Sequence, residues 1–194
     1  MNRRLNRRPN SPRSKLLPAA CVVLAALFVA APAAADELYA YSVSAFAGFG
    51  GSHDAEPGDG FGNTGFQLGA SVRTEARTRL AVRLGRLGLG DGDAFGALTD
   101  ADLTYATIAG EYRFSDPVYD AWVYIGLGAY DLDGTPRFAG VDTTDTTFGG
   151  VLGLVGEFSV TRRVDVVVEL SGHWADFDDA HVFGMGHVGV GYHF

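Results

Sequence analysis

Eight runs in which apolar residues alternate with polar or small ones constrain the fold of this chain more than any other feature. They cover residues 38–50, 63–75, 78–90, 102–115, 119–131, 146–160, 163–175 and 181–194. A period of two is typical of β-strands whose two faces meet different surroundings. Globular strands usually have ~5–6 residues, whereas these runs reach the ~9–11 that a tilted strand needs to cross a bilayer. The sequence therefore predicts an all-β fold of eight long antiparallel strands.

The run "RVDVVVELSGHW" shows how the two faces differ. Val164, Val166 and Val168 fall on one face, while Asp165 and Glu169 fall on the other. In a soluble sandwich or a lipocalin-like ligand-binding barrel, the apolar face would point inward. In a transmembrane barrel it would point to lipid, and the polar face would line the interior. The fifth run, "AWVYIGLGAY", is apolar or small on both faces, so its register stays ambiguous.

The amino-terminal segment has the form of a cleaved secretory signal peptide. Residues 1–15 carry six basic residues and no acid, and an apolar stretch then ends on Ala33-x-Ala35. This order is typical of an exported precursor. We predict a signal peptide over 1–35 and a single barrel domain over 36–194. The predicted mature chain has nine arginines and twenty-three acidic residues, a net charge of −14 that excludes a nucleic-acid partner.

The predicted connections favour the transmembrane alternative. Residues 51–62, 91–101 and 132–145 are long, acidic and rich in Gly and Asp, whereas the intervening connections, such as "TRR" at 161–163, are short. Outer-membrane barrels have short periplasmic turns and longer extracellular loops. The pattern therefore indicates an up-and-down transmembrane β-barrel with both termini on the periplasmic side.

The carboxyl terminus, "VGVGYHF", ends within an alternating pattern. Val188, Val190, Tyr192 and Phe194 share one face. This end resembles the signal that the barrel-assembly machinery of Gram-negative bacteria reads. From signal peptide to terminal Phe, the chain resembles the small OmpA/OmpX-type family of eight-stranded outer-membrane barrels, sometimes called porin-like. The resemblance implies export through the periplasm to the outer membrane, contact with outer-membrane lipid, and the assembly machinery as a partner in biogenesis.

The polar face predicts how the interior of such a barrel is filled. Eight strands enclose a space that side chains can fill, so we expect a plugged lumen rather than a water-filled channel. Unpaired buried charges are costly, so the inward-facing charges are expected to pair with one another. This predicted charge network consists of Arg73, Arg79, Arg83, Glu111, Arg113, Glu157, Asp165 and Glu169. A small porin-like channel remains the alternative.

Catalysis and metal binding are not expected. A lipid-modifying hydrolase or acyltransferase would need a serine activated by a histidine, and Ser171 and His173 share the inward face. Residues two apart on a strand lie ~6.6 Å apart at the backbone with parallel side chains, which argues against the pair. "SGHWA" also departs from the order in outer-membrane deacylases. His181, His187 and His193 are too widely spaced for one metal, a cross-strand pair of His173 with His187 or His181 stays open, and no cofactor is expected.

The acidic loops are the strongest functional candidates. Loops on a rigid barrel commonly carry function. "DLDG" at 131–134 holds only a fragment of a calcium-binding loop. We therefore predict a monomeric, non-enzymatic barrel with a structural or surface-interaction role, whose possible surface partner the loops do not identify.

Overall fold

Eight strands close into one antiparallel barrel, which confirms the predicted fold class. The computed structural model describes residues 40–52, 63–90, 98–114, 120–136, 144–177 and 181–194. The strands are β1 (Tyr41–Ser52), β2 (Asn63–Glu75), β3 (Thr78–Gly90), β4 (Leu98–Arg113), β5 (Asp120–Pro136), β6 (Thr144–Ser159), β7 (Val164–Ala175) and β8 (His181–His193). Each strand pairs with the next, and β1 pairs with β8. The predicted signal peptide at 1–35 lies outside the described residues.

Four strands, β1, β4, β5 and β6, are longer than the sequence predicted at the end opposite the chain termini, which the sequence analysis assigned to the extracellular side. The strand β5 continues to Pro136 and β6 begins at Thr144, so "DLDG" at 131–134 lies in a strand and not in a loop. At this end Leu103 and Leu132 point inward, while Asp102 and Asp133 are partly exposed. The apolar face changes sides here, as expected where the strands of a transmembrane barrel extend beyond the lipid. The ladder hydrogen bonds continue, since they do not depend on side-chain polarity.

The remaining segments at that end, 53–62, 91–97, 137–143 and 178–180, lie outside the described residues. They include Asp91, Asp93 and Asp142 of the predicted acidic loops.

The outer surface of the barrel carries an apolar band bounded by aromatic side chains. Exposed Val, Leu and Ile residues from all eight strands form the band. Aromatic side chains border it towards the extracellular end (Phe49, Phe66, Phe148 and Trp174) and towards the end with the chain terminus (Tyr41, Tyr112, Phe114, Phe158, Tyr192 and Phe194). Aromatic girdles at both interfaces are typical of outer-membrane barrels. Among the described residues, no helix is long and apolar enough to cross a membrane.

The first and last strands meet in a seam at the periplasmic end. Tyr41 and Phe194 exchange backbone hydrogen bonds, with N···O distances of 3.2 Å and 3.0 Å, and their rings stack with centroids 6.1 Å apart. The side chains of Val188, Val190, Tyr192 and Phe194 all face outward and are exposed. Their role as an assembly signal stays a prediction; assembly in cells of a chain lacking Phe194 would test it.

Candidate functional site

The barrel interior is filled by two layers of different chemistry. Towards the periplasmic end lies an ionic layer made of Arg79, Arg83, Glu111, Glu157 and Glu169. Towards the extracellular end lies an apolar layer made of Leu87, Leu89, Ala101, Leu103, Tyr105, Tyr130, Leu132, Ala175, Phe177, Phe183 and Met185. Both layers are buried. Together they occupy the axis along which a channel would run.

In the ionic layer, each arginine bridges two glutamates. Arg79 binds Glu111 through Nε and Glu157 through Nη1, the latter at 2.6 Å. Arg83 binds Glu111 through Nη2 at 2.6 Å and Glu169 through Nε at 2.9 Å. Glu111 thus joins the two arginines into one chain of charge-assisted hydrogen bonds, the stronger kind of hydrogen bond in proteins.

Neutral donors and aromatic rings complete the ionic layer. Trp122 Nε1 donates to Glu157 at 3.0 Å, and Tyr124 OH donates to Glu169 at 2.8 Å. The guanidinium of Arg79 lies 4.0 Å from the centroid of the Trp122 ring, and that of Arg83 lies 4.1 Å from that of Tyr124. Three carboxylates face two guanidiniums, so these N–H and O–H donors supply the remaining hydrogen bonds that the buried carboxylates need.

A second chain of hydrogen bonds links the ionic layer to the apolar one. Tyr105 OH donates to Gln67 Oε1 at 2.9 Å, and Gln67 Nε2 donates to Glu169 at 3.2 Å. The carboxylate of Glu169 therefore binds Arg83, Tyr124 and Gln67 from three different strands. It is the most connected acid of the site.

The structure brings together five of the eight residues of the predicted charge network. Asp165 instead binds His193 Nε2 at 2.6 Å. Arg113 pairs with Asp120 at 2.9 Å, and both side chains are about a third exposed. Arg73 lies opposite Arg79 in the β2–β3 register and is partly exposed. These three residues lie near the periplasmic ends of their strands, outside the central layer.

The sequence analysis missed the aromatic members of the ionic layer. Trp122 and Tyr124 lie on β5, whose register the alternation left open. A usable signal was present, because Val123, Ile125 and Leu127 on the opposite face have no polar atom. Buried Trp and Tyr usually find a hydrogen-bond partner, so the face that holds them is the one that meets the charges.

Ser171 and His173 are hydrogen-bonded, contrary to the geometric expectation from the sequence. The ring of His173 lies between two hydroxyls, with Nε2 3.0 Å from Ser171 Oγ and Nδ1 3.0 Å from Tyr130 OH. Tyr130 OH donates to the carbonyl of Gly150 at 3.0 Å, so Nδ1 donates to Tyr130 and Nε2 accepts from Ser171. The side chains converge because a rigid imidazole leans along the strand.

This serine–histidine pair lies in a sealed environment. His173 is 1% exposed and packs against the rings of Tyr105 and Tyr130. Within the described part of the chain, no carboxylate is bonded to His173, and no group of side chains could hold a metal ion. The pair therefore serves as a satisfied polar contact between the layers.

The space that remains inside the barrel is small. A cavity of about 30 Å³ borders the ionic layer, with Ser42, Ser44 and Ser71 among its lining residues. This volume suits a water molecule rather than a conduction path. Among the described residues, Arg83 Nη1, Thr107 Oγ1 and His187 Nδ1 are buried without a protein partner.

Comparison with known proteins gives a family and a fold. A family model described as "Outer membrane protein beta-barrel domain" matches residues 19–194. A search of curated protein sequences finds no match.

Solved structures of bacterial outer-membrane barrels resemble the chain. Neisserial surface protein A has a TM-score of 0.62 at 17% identity, covering 79% of this chain and 97% of its own. Ail, the attachment invasion locus protein of Yersinia pestis, has a TM-score of 0.53 at 15% identity, covering 81% of this chain and 100% of its own. The N-terminal barrel of Pseudomonas aeruginosa OprF has a TM-score of 0.53 at 15% identity, covering 79% of this chain and 97% of its own. At these identities the likeness concerns the fold.

Proposed function

Because the chain belongs to the outer-membrane protein β-barrel family and is located in the Gram-negative outer membrane, we propose that it is a non-enzymatic, plugged scaffold. Its task is to hold its extracellular strand ends and loops at the cell surface for interaction with a partner. The observation that carries the proposal is the filled lumen. With the interior closed, the outer wall and the two rims remain as surfaces that can act.

The extracellular rim supports the surface role through its charge. Six aspartates lie at or just beyond the extracellular ends of β4–β7, and each is at least partly exposed: Asp100, Asp102, Asp131, Asp133, Asp145 and Asp176. The described cation at this level is Arg86, which binds Asp102 at 2.6 Å. A rim of one sign attracts a partner of the opposite sign and speeds its association. The proposed partner is therefore a cationic molecule or a basic protein surface.

Vesicle swelling tests the closed interior. Liposomes that contain the barrel should take up arabinose no faster than protein-free liposomes, because the ionic and apolar layers fill the lumen and the cavity beside the ionic layer has only about 30 Å³. A general porin of about sixteen strands, which has an aqueous channel, provides the positive control. Swelling that increases with the amount of barrel would instead support the porin-like alternative.

Binding of a cationic peptide tests the surface role. In nanodiscs of zwitterionic phosphatidylcholine, Asp145→Asn and Asp176→Asn should each weaken the binding of a fluorescent oligolysine by about threefold, since one exposed ion pair is worth ~0.2–1 kcal/mol. Added salt should weaken it further. Glu75→Gln is the matched control, because Glu75 lies at the opposite end of the barrel beside Arg77. An equal loss in the control would contradict a specific role of the extracellular rim.

The enzymatic alternative is less well supported. His173 has its acceptor nitrogen towards Ser171, as a base that activates a serine nucleophile requires. Both side chains, however, are enclosed by the lumen. A lipid ester in the membrane would have to cross the barrel wall to reach them. We therefore assign the pair to the plug.

A further inference from the structure

A groove crosses the lipid-facing wall of the barrel in its periplasmic half. Its floor is Gly110, where an added Cβ would meet nothing within 4 Å. Its walls are the exposed side chains of Leu80, Tyr112, Val123 and Ile125. The volume is about 390 Å³, and the lining is mainly apolar. At this depth in the bilayer, the chemistry that fits the groove is a hydrocarbon chain.

The periplasmic mouth of the groove is polar. Thr74 and Thr78 line it, and their hydroxyl oxygens lie 2.8 Å apart. Arg77 lies between them in the two-residue turn that joins β2 to β3, and its side chain is exposed. Within the described part of the chain, no carboxylate pairs with its guanidinium. The mouth therefore offers one cation and two hydroxyls at the level of the lipid headgroups, with one exposed acid, Glu75, that is not paired with Arg77.

We propose that this groove binds an anionic glycerophospholipid of the periplasmic leaflet. One acyl chain lies over Gly110 between Leu80 and Ile125, and the phosphate is held by Arg77. Arginine is well suited to phosphate because its N–H donors form a planar fork. The hydroxyls of Thr74 and Thr78 provide further donors. The site depends on the membrane orientation of the barrel and not on the proposed surface role, so either can fail alone.

Charge complementarity selects this occupant. Among the described residues of the periplasmic end, three arginines, Arg77, Arg162 and Arg163, are exposed against one exposed acid, Glu75, whereas the described extracellular end is rich in aspartate. An arginine near the membrane surface favours anionic over zwitterionic lipid. The excess of exposed arginines at this end therefore favours a lipid whose headgroup has a net negative charge.

A second groove provides a control of similar size. It lies in the extracellular half, with Gly172, Gly184 and Gly186 in its floor and Phe49 and Leu170 in its walls, and has a volume of about 370 Å³. An added Cβ at Gly172 also meets nothing within 4 Å. Among the described residues that line this groove, none is charged. It should accept hydrocarbon chains without preference for a headgroup.

Native mass spectrometry of the barrel purified from cells expressing the full chain tests the site. The detergent-solubilised barrel is incubated with phosphatidylglycerol or phosphatidylcholine of identical acyl chains, and retained lipid is counted. The wild type should retain more phosphatidylglycerol. Gly110→Leu should abolish this excess by filling the groove, whereas Gly172→Leu should preserve it. Arg77→Gln should lower the preference for phosphatidylglycerol about fivefold, whereas Arg162→Gln, at another exposed periplasmic arginine, should not.

Three outcomes would overturn the proposal. Equal retention of the two lipids by the wild type would show that Arg77 does not select an anionic headgroup. Equal effects of the two leucine substitutions would show that bound lipid does not select the periplasmic groove. A dimer that is lost in Gly110→Leu would assign the groove to a second copy of the chain. Migration of each variant on gels before and after heating verifies that the barrel is folded.

Discussion

Replacing Arg83 with methionine is expected to destabilise the barrel by about 3–5 kcal/mol, the range for breaking a buried ion pair. Arg83 binds Glu111 and Glu169 and lies over the ring of Tyr124. Methionine reproduces the unbranched stem of arginine but lacks the guanidinium, so both carboxylates would lose their shared cation inside the barrel. The free energy of unfolding can be measured with denaturant in detergent micelles, followed through the fluorescence of buried Trp122.

Arg86→Met is the matched control for this prediction. Arg86 lies on the same strand, but its side chain is 54% exposed and pairs with Asp102 on the outer surface. Exposed ion pairs contribute ~0–1 kcal/mol, so its loss should have a small effect. Adding Glu169→Gln to Arg83→Met should restore part of the stability, because Glu169 is the carboxylate left without a cation, whereas Glu111 keeps Arg79. Equal losses for Arg83→Met and Arg86→Met would contradict the role of the ionic layer.

Gly153→Ala is the second substitution with a large expected effect, a destabilisation of about 1–3 kcal/mol from overpacking. A Cβ at this position would meet the carbonyl oxygen of Leu170 and the ring end of Tyr124. The carbonyl belongs to the paired backbone of β7, and the ring is fixed by its hydrogen bond to Glu169. Neither neighbour can move without breaking one of these hydrogen bonds. Denaturant unfolding under the same conditions gives the change in stability.

Gly172→Ala tests whether the loss of stability in Gly153→Ala comes from overpacking at that position or from any replacement of a strand glycine by alanine. Gly172 lies on β7 beside Ser171, the register partner of Gly153, and faces lipid. A Cβ there meets nothing within 4 Å, and alanine restricts the unfolded chain more than glycine does. The variant should therefore be as stable as the wild type or slightly more stable. A loss as large as that of Gly153→Ala would show that the interior is not tightly packed.

The alternation of residues predicted most of the barrel because membrane and lumen impose opposite requirements on neighbouring side chains. In β7 this identified Asp165, Glu169, Ser171 and His173 as inward-facing, and the structure places all four side chains there. The alternation was uninformative in β5, where both faces are apolar or small. There the inward face is the one whose Trp122 and Tyr124 find hydrogen-bond partners across the lumen, a signal that lies in the polar atoms of these side chains and not in the alternation.

The strand ends were predicted less well for a physical reason. Above the lipid the apolar face turns inward, so Leu132, between Asp131 and Asp133, has neighbours with the composition of a loop. Backbone pairing continues regardless of that composition. Side-chain polarity reports the surroundings of a strand rather than its length.

The sequence by itself determined the class of the barrel, the number of strands and the face of most charged residues, because a period of two is a local property of the chain. Only the tertiary structure decided which charges meet. Arg79, Arg83, Glu111, Glu157 and Glu169 come from β3, β4, β6 and β7, and barrel closure and strand register bring them to one level. The same register leaves Arg113 and Asp165 to other partners at the periplasmic end. Contacts across a lumen depend on the register of every intervening strand, so the alternation within one strand cannot specify them.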